Sequence, residues 1–223
     1  ARLRVTPFVQ GRDYDGYAQD GRLIYQDEAG LLDLPPPALV GHHQFDNAAL
    51  AVAAVRHFRL PVNEAQIAAG LRTVVWPARI QKLAGPLRDR LPKASELWLD
   101  GAHNAHGAAA LARSLEEMQA RRPLPLVLIL GMMSNKDAAG FLGNFAGLTR
   151  HVIAVPIPGQ DNAFTAERLA DTLRPVGLRV ETSDSVASAL SAVAKLAYEI
   201  PPRILITGSL YLAGHVLEEN GTL

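Results

Sequence analysis

The sequence predicts an α/β fold over residues 76–223, built on a mostly parallel six-stranded sheet with flanking helices. Three observations predict it. Strand-like and helix-like segments alternate at regular spacing beyond residue 76, which is the pattern of βαβ units. The run Leu126-Val127-Leu128-Ile129-Leu130 is continuously apolar, as a central strand covered on both faces must be. Several apolar runs also end in short polar turns that open helices, where open α/β sheets bind ligands.

Residues 1–40 read as short extended segments separated by turns. Arg2-Leu3-Arg4-Val5 alternates, Leu23-Ile24-Tyr25 has strand composition, and Asp15-Gly16 and Asp20-Gly21 read as turns. Pro35-Pro36-Pro37 excludes helix where it stands. A helix is expected from Asp46 to Phe58, with Asp46 as its N-cap and Leu50, Val52 and Val55 as its apolar side. A second helix is expected from Glu64 to Leu71, capped by Asn63. Thr73 to Pro77 reads as a linker, because a helix does not continue through Trp76-Pro77. The domain boundary is placed near residue 76.

Beyond it, strands are expected over Arg79–Leu83, Glu96–Leu99, Pro125–Leu130, His151–Val155, Leu178–Glu181 and Arg203–Ile206. Helices are expected over Ala105–Arg121, Asp137–Phe145, Thr165–Leu173, Ser185–Tyr198 and Ser209–Glu218.

Composition narrows the function. Lys+Arg and Asp+Glu both number 22, so the chain lacks the basic surplus usual in nucleic-acid binders. It has no cysteine, which excludes disulfides, thiol nucleophiles and cysteine-ligated metals. No apolar run reaches the roughly 18 residues of a membrane span. No basic-then-apolar leader is visible, so a soluble, cytoplasmic protein is the expectation. The chain starts at Ala1 in strand-like sequence, which suggests a fragment of a longer protein.

The polar candidates sit mostly at strand ends. In Leu99-Asp100-Gly101-Ala102-His103-Asn104, Asp100 is placed either to accept hydrogen bonds from ribose hydroxyls or to cap the following helix. His103 is placed to meet phosphate or acyl groups, or to bond a neighbouring carbonyl. Arg79 follows the linker, where a guanidinium suits bidentate phosphate binding or serves as a solvated hinge residue. Asn47 carries the donor and acceptor needed to read an adenine edge, with helix capping as its alternative. Lys136 and Thr207-Gly208-Ser209 also occupy strand-to-helix turns, and the latter geometry can hold an anion on backbone N–H groups. The histidines show no metal-ligand spacing with carboxylates, so no metal is expected in this chain. Neither Gly-x-x-x-x-Gly-Lys-[Ser/Thr] nor Gly-x-Gly-x-x-Gly occurs, so the chain has no phosphate-cradling loop of its own.

His-Gln-x-x-Asn-Ala at 43–48, Trp-Pro-x-Arg-x-Gln at 76–81 and Leu-Asp-Gly-Ala-His-Asn at 99–104 together resemble the folylpolyglutamate synthase/dihydrofolate synthase family, within the wider Mur ligases. Lys136-Asp137 and Thr207-Gly208-Ser209-Leu210-Tyr211 extend the resemblance over nearly the whole chain. It implies that residues 1–75 are the C-terminal end of a central ATPase/ligase domain. It implies that residues 76–223 form a C-terminal Rossmann-like domain. The implied reaction is ATP-dependent joining of L-glutamate to dihydropteroate or folate through an acyl phosphate, in a monomeric enzyme. By motif position Asn47 would contact adenine, Arg79 the ATP phosphates and Asp100 the ribose, with His103 near the reacting end. The P-loop and the Mg2+ ligands would lie in sequence N-terminal to this chain, leaving the chain inactive alone. Ala78 stands where the family usually has glycine, which is harmless unless that position needs a positive φ. Ala105 stands in place of the usual proline. A non-catalytic nucleotide-binding or regulatory module remains the alternative. A cell-wall ligase is disfavoured by the Asp-Gly-Ala-His spelling.

Overall fold

The computed structural model describes residues 6–196 and 198–222, apart from the side chain of Arg150. The alternating segment at 2–5 lies outside the described residues. The chain divides into two compact units, Ala1–Trp76 and Pro77–Leu223.

The first unit contains an antiparallel meander of β1 (Tyr14–Gln19), β2 (Arg22–Asp27) and β3 (Gly30–Leu34). Asp20-Gly21 is the expected turn, and both residues take positive φ, which matches the twist of the strands they join. Asp15-Gly16 is not a turn. Gly16 lies within β1, where a Cβ would stand 2.2 Å from the Cβ of Ala49. The glycine therefore lets helix α1 (His43–His57) pack directly on the strand.

That helix starts before Asp46, and Asp46 is a first-turn acid rather than the N-cap. Gly41, at φ 113°, breaks the preceding chain, and its carbonyl accepts from the Gln44 N–H at 3.0 Å. The buried face matches the expected one only in part, at Val52 and the half-buried Val55. Leu50 is 57% exposed, while Ala48, Ala49, Val52 and Ala53 pack on Tyr14, Leu23, Tyr25 and Leu34. Short side chains occupy this face because the helix approaches so closely. At the far end of α1, Arg56 grips Asp27 through two bonds of 2.6 and 2.7 Å. Helix α2 (Glu64–Thr73) follows with a reciprocal capping box between Asn63 and Gln66.

The second unit holds a six-stranded sheet of β4 (Gln81–Lys82), β5 (Glu96–Leu99), β6 (Leu126–Leu130), β7 (Thr149–Ala154), β8 (Arg179–Thr182) and β9 (Arg203–Thr207). Their order is β4-β5-β9-β6-β7-β8, and all neighbours are parallel except β4 with β5. The helices are α3 (Pro86–Asp89), α4 (Ala105–Arg121), α5 (Ala138–Gly143), α6 (Ala166–Leu173), α7 (Val186–Lys195) and α8 (Leu210–Glu219). Side chains alternate across the sheet: Val127 and Ile129 face α3, α7 and α8, whereas Leu126, Leu128 and Leu130 face α4, α5 and α6.

Two expectations shrink. The strand expected over Arg79–Leu83 is only two residues long, because Ala78 and Ile80 take positive φ of 56° and 45°. Helix α7 stops at Lys195 rather than Tyr198, since Leu196 is already extended at ψ 131°.

The topology places the ligand edge. Helix α4, after β5, packs on one face, while α8, after β9, packs on the other. Adjacent strands β5 and β9 thus send the chain to opposite faces. In open α/β sheets the crevice outside the carboxyl ends of such a pair is the binding position.

Candidate functional site

Asp100 follows β5 at this switch point and is 7% exposed. Neither of its oxygens caps the helix. Oδ1 accepts from the Ala102 N–H at 2.7 Å, and Oδ2 accepts from the Ile80 N–H at 2.9 Å. Capping of α4 falls to Asn104, whose Oδ1 accepts from the Gly107 N–H at 2.8 Å. That cap also supplies the pre-organisation that Ala105, in place of proline, does not. Burial pushes the Asp100 carboxyl above the ordinary aspartate value, and the two N–H donors and the charge of Arg79 only partly offset it. Each oxygen keeps a second lone-pair site for a ligand donor.

His103 is partly exposed, and its Nδ1 lies 3.0 Å from the carbonyl of Gly101. A carbonyl only accepts, so Nδ1 carries the hydrogen. In the neutral form of the ring, Nε2 keeps its lone pair for another partner. A Cβ at Gly101 would stand 2.4 Å from Leu210 Cδ2, so a side chain there would require the exposed Leu210 to move aside.

Arg79 projects from the turn that precedes β4. Its neighbours Ala78 and Ile80 are buried at 4% and 2%, whereas Arg79 is exposed. Among the described residues its guanidinium makes no hydrogen bond or ion pair. The position that the resembled family fills with glycine thus does require a left-handed backbone, and this chain holds an alanine there at φ 56°.

The strand ends are tied together. The Gly208 N–H donates to the Ala102 carbonyl at 3.0 Å, and the Gly131 N–H donates to the Thr207 carbonyl at 3.2 Å. A Cβ on Gly208, which has φ 108°, would stand 2.6 Å from the Gly131 oxygen. Ser209 caps α8 through the Tyr211 N–H, so its hydroxyl oxygen already serves the helix. Lys136 is partly buried in the loop after β6, and Asp137 caps α5. That loop is held by Ser134, which donates to the Asn162 carbonyl through both N–H and hydroxyl. No motif in the sequence signalled the partnership.

Asn47 belongs to the first unit and lies on the exposed side of α1. Its Nδ2 donates to Gln44 Oε1 at 3.1 Å, so it caps nothing and keeps its carbonyl oxygen and a second amide hydrogen. Arg79, Asp100 and His103 belong to the second unit. Gln81 is the residue that sequence reasoning passed over. It stands inside the Trp76–Gln81 signature, yet its contact with Ala78 depends on a backbone conformation that residue type does not reveal.

Among the described residues no group of three or more His, Cys, Asp or Glu is placed to hold a metal ion. No helix there is long and apolar enough to cross a membrane.

Residues 87–210 match the family described as Mur ligase, glutamate ligase domain. The chain is 30% identical over 202 residues to the folylpolyglutamate synthase of Lacticaseibacillus casei, covering 87% of this chain and 42% of that protein. Escherichia coli FolC, solved in complex with DHPP and ADP, superposes with a TM-score of 0.77 at 28% identity, over 94% of this chain and 46% of that one. The Mycobacterium tuberculosis folylpolyglutamate synthase solved with ADP gives a TM-score of 0.75 at 27% identity, over 95% and 48%. The chain therefore spans somewhat less than half the length of these three relatives.

Proposed function

The chain belongs to the Mur ligase family, whose glutamate ligase domain matches more than half its length, and from that premise we propose that it is the C-terminal part of an ATP-dependent folylpolyglutamate synthase/dihydrofolate synthase. Residues 1–75 are the end of the central ATPase/ligase domain, and residues 76–223 are the C-terminal Rossmann-like domain. The observation that carries this reading is Arg79. An exposed guanidinium that makes no hydrogen bond or ion pair among the described residues lies within electrostatic reach of the carboxylate that follows β5, at the switch point of a parallel sheet.

ATP supplies a phosphoryl group that converts the pteroate or folate carboxylate into an acyl phosphate. The L-glutamate ammonium gives up one proton, its free amine attacks the acyl carbon, the bond from that carbon to the phosphate oxygen breaks as the amide bond forms, and inorganic phosphate leaves carrying the second nitrogen proton. The residues of this chain bind and orient. Arg79 donates to the ATP phosphates, where its planar fork matches phosphate oxygens. Asp100 accepts from the ribose hydroxyls on its remaining lone-pair sites. Asn47 uses its free amide hydrogen and carbonyl on the adenine edge. His103 directs its Nε2 toward the reacting end. Holding charged reactants in line supplies most of the acceleration in such a transfer. The residues named here suit a nucleotide, and by the resemblance we assign the Mg2+ ligands to sequence N-terminal to this chain.

The 223-residue chain alone is expected to show no turnover, since it has no phosphate-cradling loop. The deciding assay is phosphate release by the protein at the full length its gene encodes, with ATP, Mg2+ and L-glutamate. Dihydropteroate and tetrahydrofolate are offered separately. Release that depends on one or both pterins supports the reading and identifies the acceptor. No release from folded protein with either would sink it.

A further inference from the structure

The turn that carries Arg79 is strained on both sides. Ala78 and Ile80 both lie in the left-handed region, at φ 56° and 45°. Each such residue is disfavoured relative to the right-handed alternative, because its Cβ crowds the following carbonyl oxygen. For a β-branched isoleucine it is a marked outlier. Backbone held this way persists only where the surroundings over-determine it, and such positions cluster at functional sites.

Three hydrogen bonds over-determine this turn. The Ala78 N–H donates to Gln81 Oε1 at 2.9 Å, and the Ala78 carbonyl accepts from the Gly101 N–H at 2.8 Å. The Ile80 N–H donates to Asp100 Oδ2 at 2.9 Å. The side chains of Ala78 and Ile80 are buried in cores on opposite faces of the sheet, Ala78 with Leu97 and Leu99, Ile80 with Leu111 and Leu128. The two residues flanking Arg79 are thus fixed in backbone and side chain, and Arg79 alone faces outward.

We propose that Gln81 and Asp100 form a clip that holds the strained 78–80 turn and so pre-positions the Arg79 guanidinium for the phosphates of a nucleotide. Gln81 is a positioning residue: it acts on Arg79 through the Ala78 amide, one peptide unit away. Asp100 has two tasks, because the oxygen that fastens Ile80 belongs to the carboxylate proposed to receive the ribose. Nucleotide binding and turn geometry are thereby linked through a single side chain. The arrangement explains why a glutamine follows the arginine by two residues. In β4 the side chain at 81 returns toward 78, on the inner side of the turn. Fixing the guanidinium in advance reduces the ordering cost of binding.

The inference rests on the ligase reading for its ligand, and its test is separable from that reading. Gln81→Met keeps length and removes the acceptor, while Gln81→Glu restores an acceptor oxygen. In this chain, amide hydrogen exchange at Ala78 is expected to quicken about tenfold in Gln81→Met and to return toward wild type in Gln81→Glu, with the thermal midpoint nearly unchanged. In the protein at the full length its gene encodes, calorimetric Kd for ATP is expected to weaken about fivefold to tenfold in Gln81→Met and to recover in Gln81→Glu. The KM for ATP should rise in step while kcat stays within about twofold. Unchanged ATP affinity in Gln81→Met overturns the proposal, even if the protein is a ligase. Weakened affinity with recovery supports it, even if pterin-dependent phosphate release is absent and the ligase reading falls.

Discussion

Strand β5 begins on one carboxylate and is followed by another, and the two live in opposite environments. Glu96, at the start, is held by three side-chain donors, two of them cations. It accepts from Arg203 at 2.7 Å, Trp98 at 3.1 Å and Arg122 at 3.0 Å, and Arg203 is further held by Gln119 at 2.7 Å. Burial opposes its ionisation, but the hydrogen bonds from Arg203 and Trp98 and the charges of Arg203 and Lys82 outweigh it and hold the carboxyl below the usual glutamate value. Asp100, past the other end, has backbone donors only, and burial carries its carboxyl above the usual aspartate value. Its neighbouring cation, Arg79, turns outward. One edge of the sheet spends its charges on itself, and the other keeps a cation and lone pairs for something else. Buried charge with its complement in place is architecture, whereas partial satisfaction at a switch point marks a site.

The largest expected effect comes from breaking the closed end. Arg203 has a side chain 2% exposed, so Arg203→Ala leaves Glu96 buried without its main partner. A loss of about 3–5 kcal/mol in unfolding free energy is expected from denaturant titration. A loss under about 1 kcal/mol would mean that the network does not hold the strand starts together. At the open end, Asp100→Asn exchanges one acceptor for a donor facing a backbone N–H. The expected cost is about 1–3 kcal/mol by the same titration, together with weaker ATP binding.

The pH dependence sharpens the contrast, because the two carboxylates have opposite signs. Glu96 has a lowered folded value, so its contribution is present above the unfolded value and is lost as pH falls through the folded one. Asp100 has a raised folded value, so its contribution is present below the unfolded value and is lost as pH rises through the folded one. The stability cost of Glu96→Gln should therefore shrink on acidification below the ordinary carboxylate range. That of Asp100→Asn should shrink as pH rises from that range toward neutrality. Parallel slopes for the two variants, from denaturant titrations at several pH values, would contradict the contrast.

Much of this architecture was legible in the sequence, for local reasons. Helix α4 runs from Ala105 to Arg121 as expected, since Asn104 caps it and an unbroken run of helix formers follows. Strand β6 was legible from its uninterrupted apolar run. The failures came from conformations that residue type hides. Gly16 sits beside an aspartate and reads as a turn, but its purpose is the approach of Ala49 across the core. No glycine marks Ile80, and at Ala78 the one signal is the glycine usual in the resembled family, so residue type alone does not reveal the left-handed backbone that shortens β4. Arg79, Asp100 and His103 could be picked out as candidates because they stand in short motifs at an expected strand end. The contacts that pose them, from Gln81 and across 20 residues to Asp100, arise only when β4 folds back on β5.

The smallest stability effect belongs to Arg79, and it gives the most direct test. Unfolding midpoint and Kd for ATP should be measured together for Arg79→Ala and Arg203→Ala, in the protein at the full length its gene encodes. Arg79→Ala should keep the wild-type stability to within about 0.5 kcal/mol and weaken ATP binding by about tenfold or more. Arg203→Ala should lose stability heavily and, where it remains folded, bind ATP as the wild type does. The division between the two ends is contradicted if Arg79→Ala binds ATP normally, or if Arg203→Ala weakens ATP binding while leaving the midpoint unchanged.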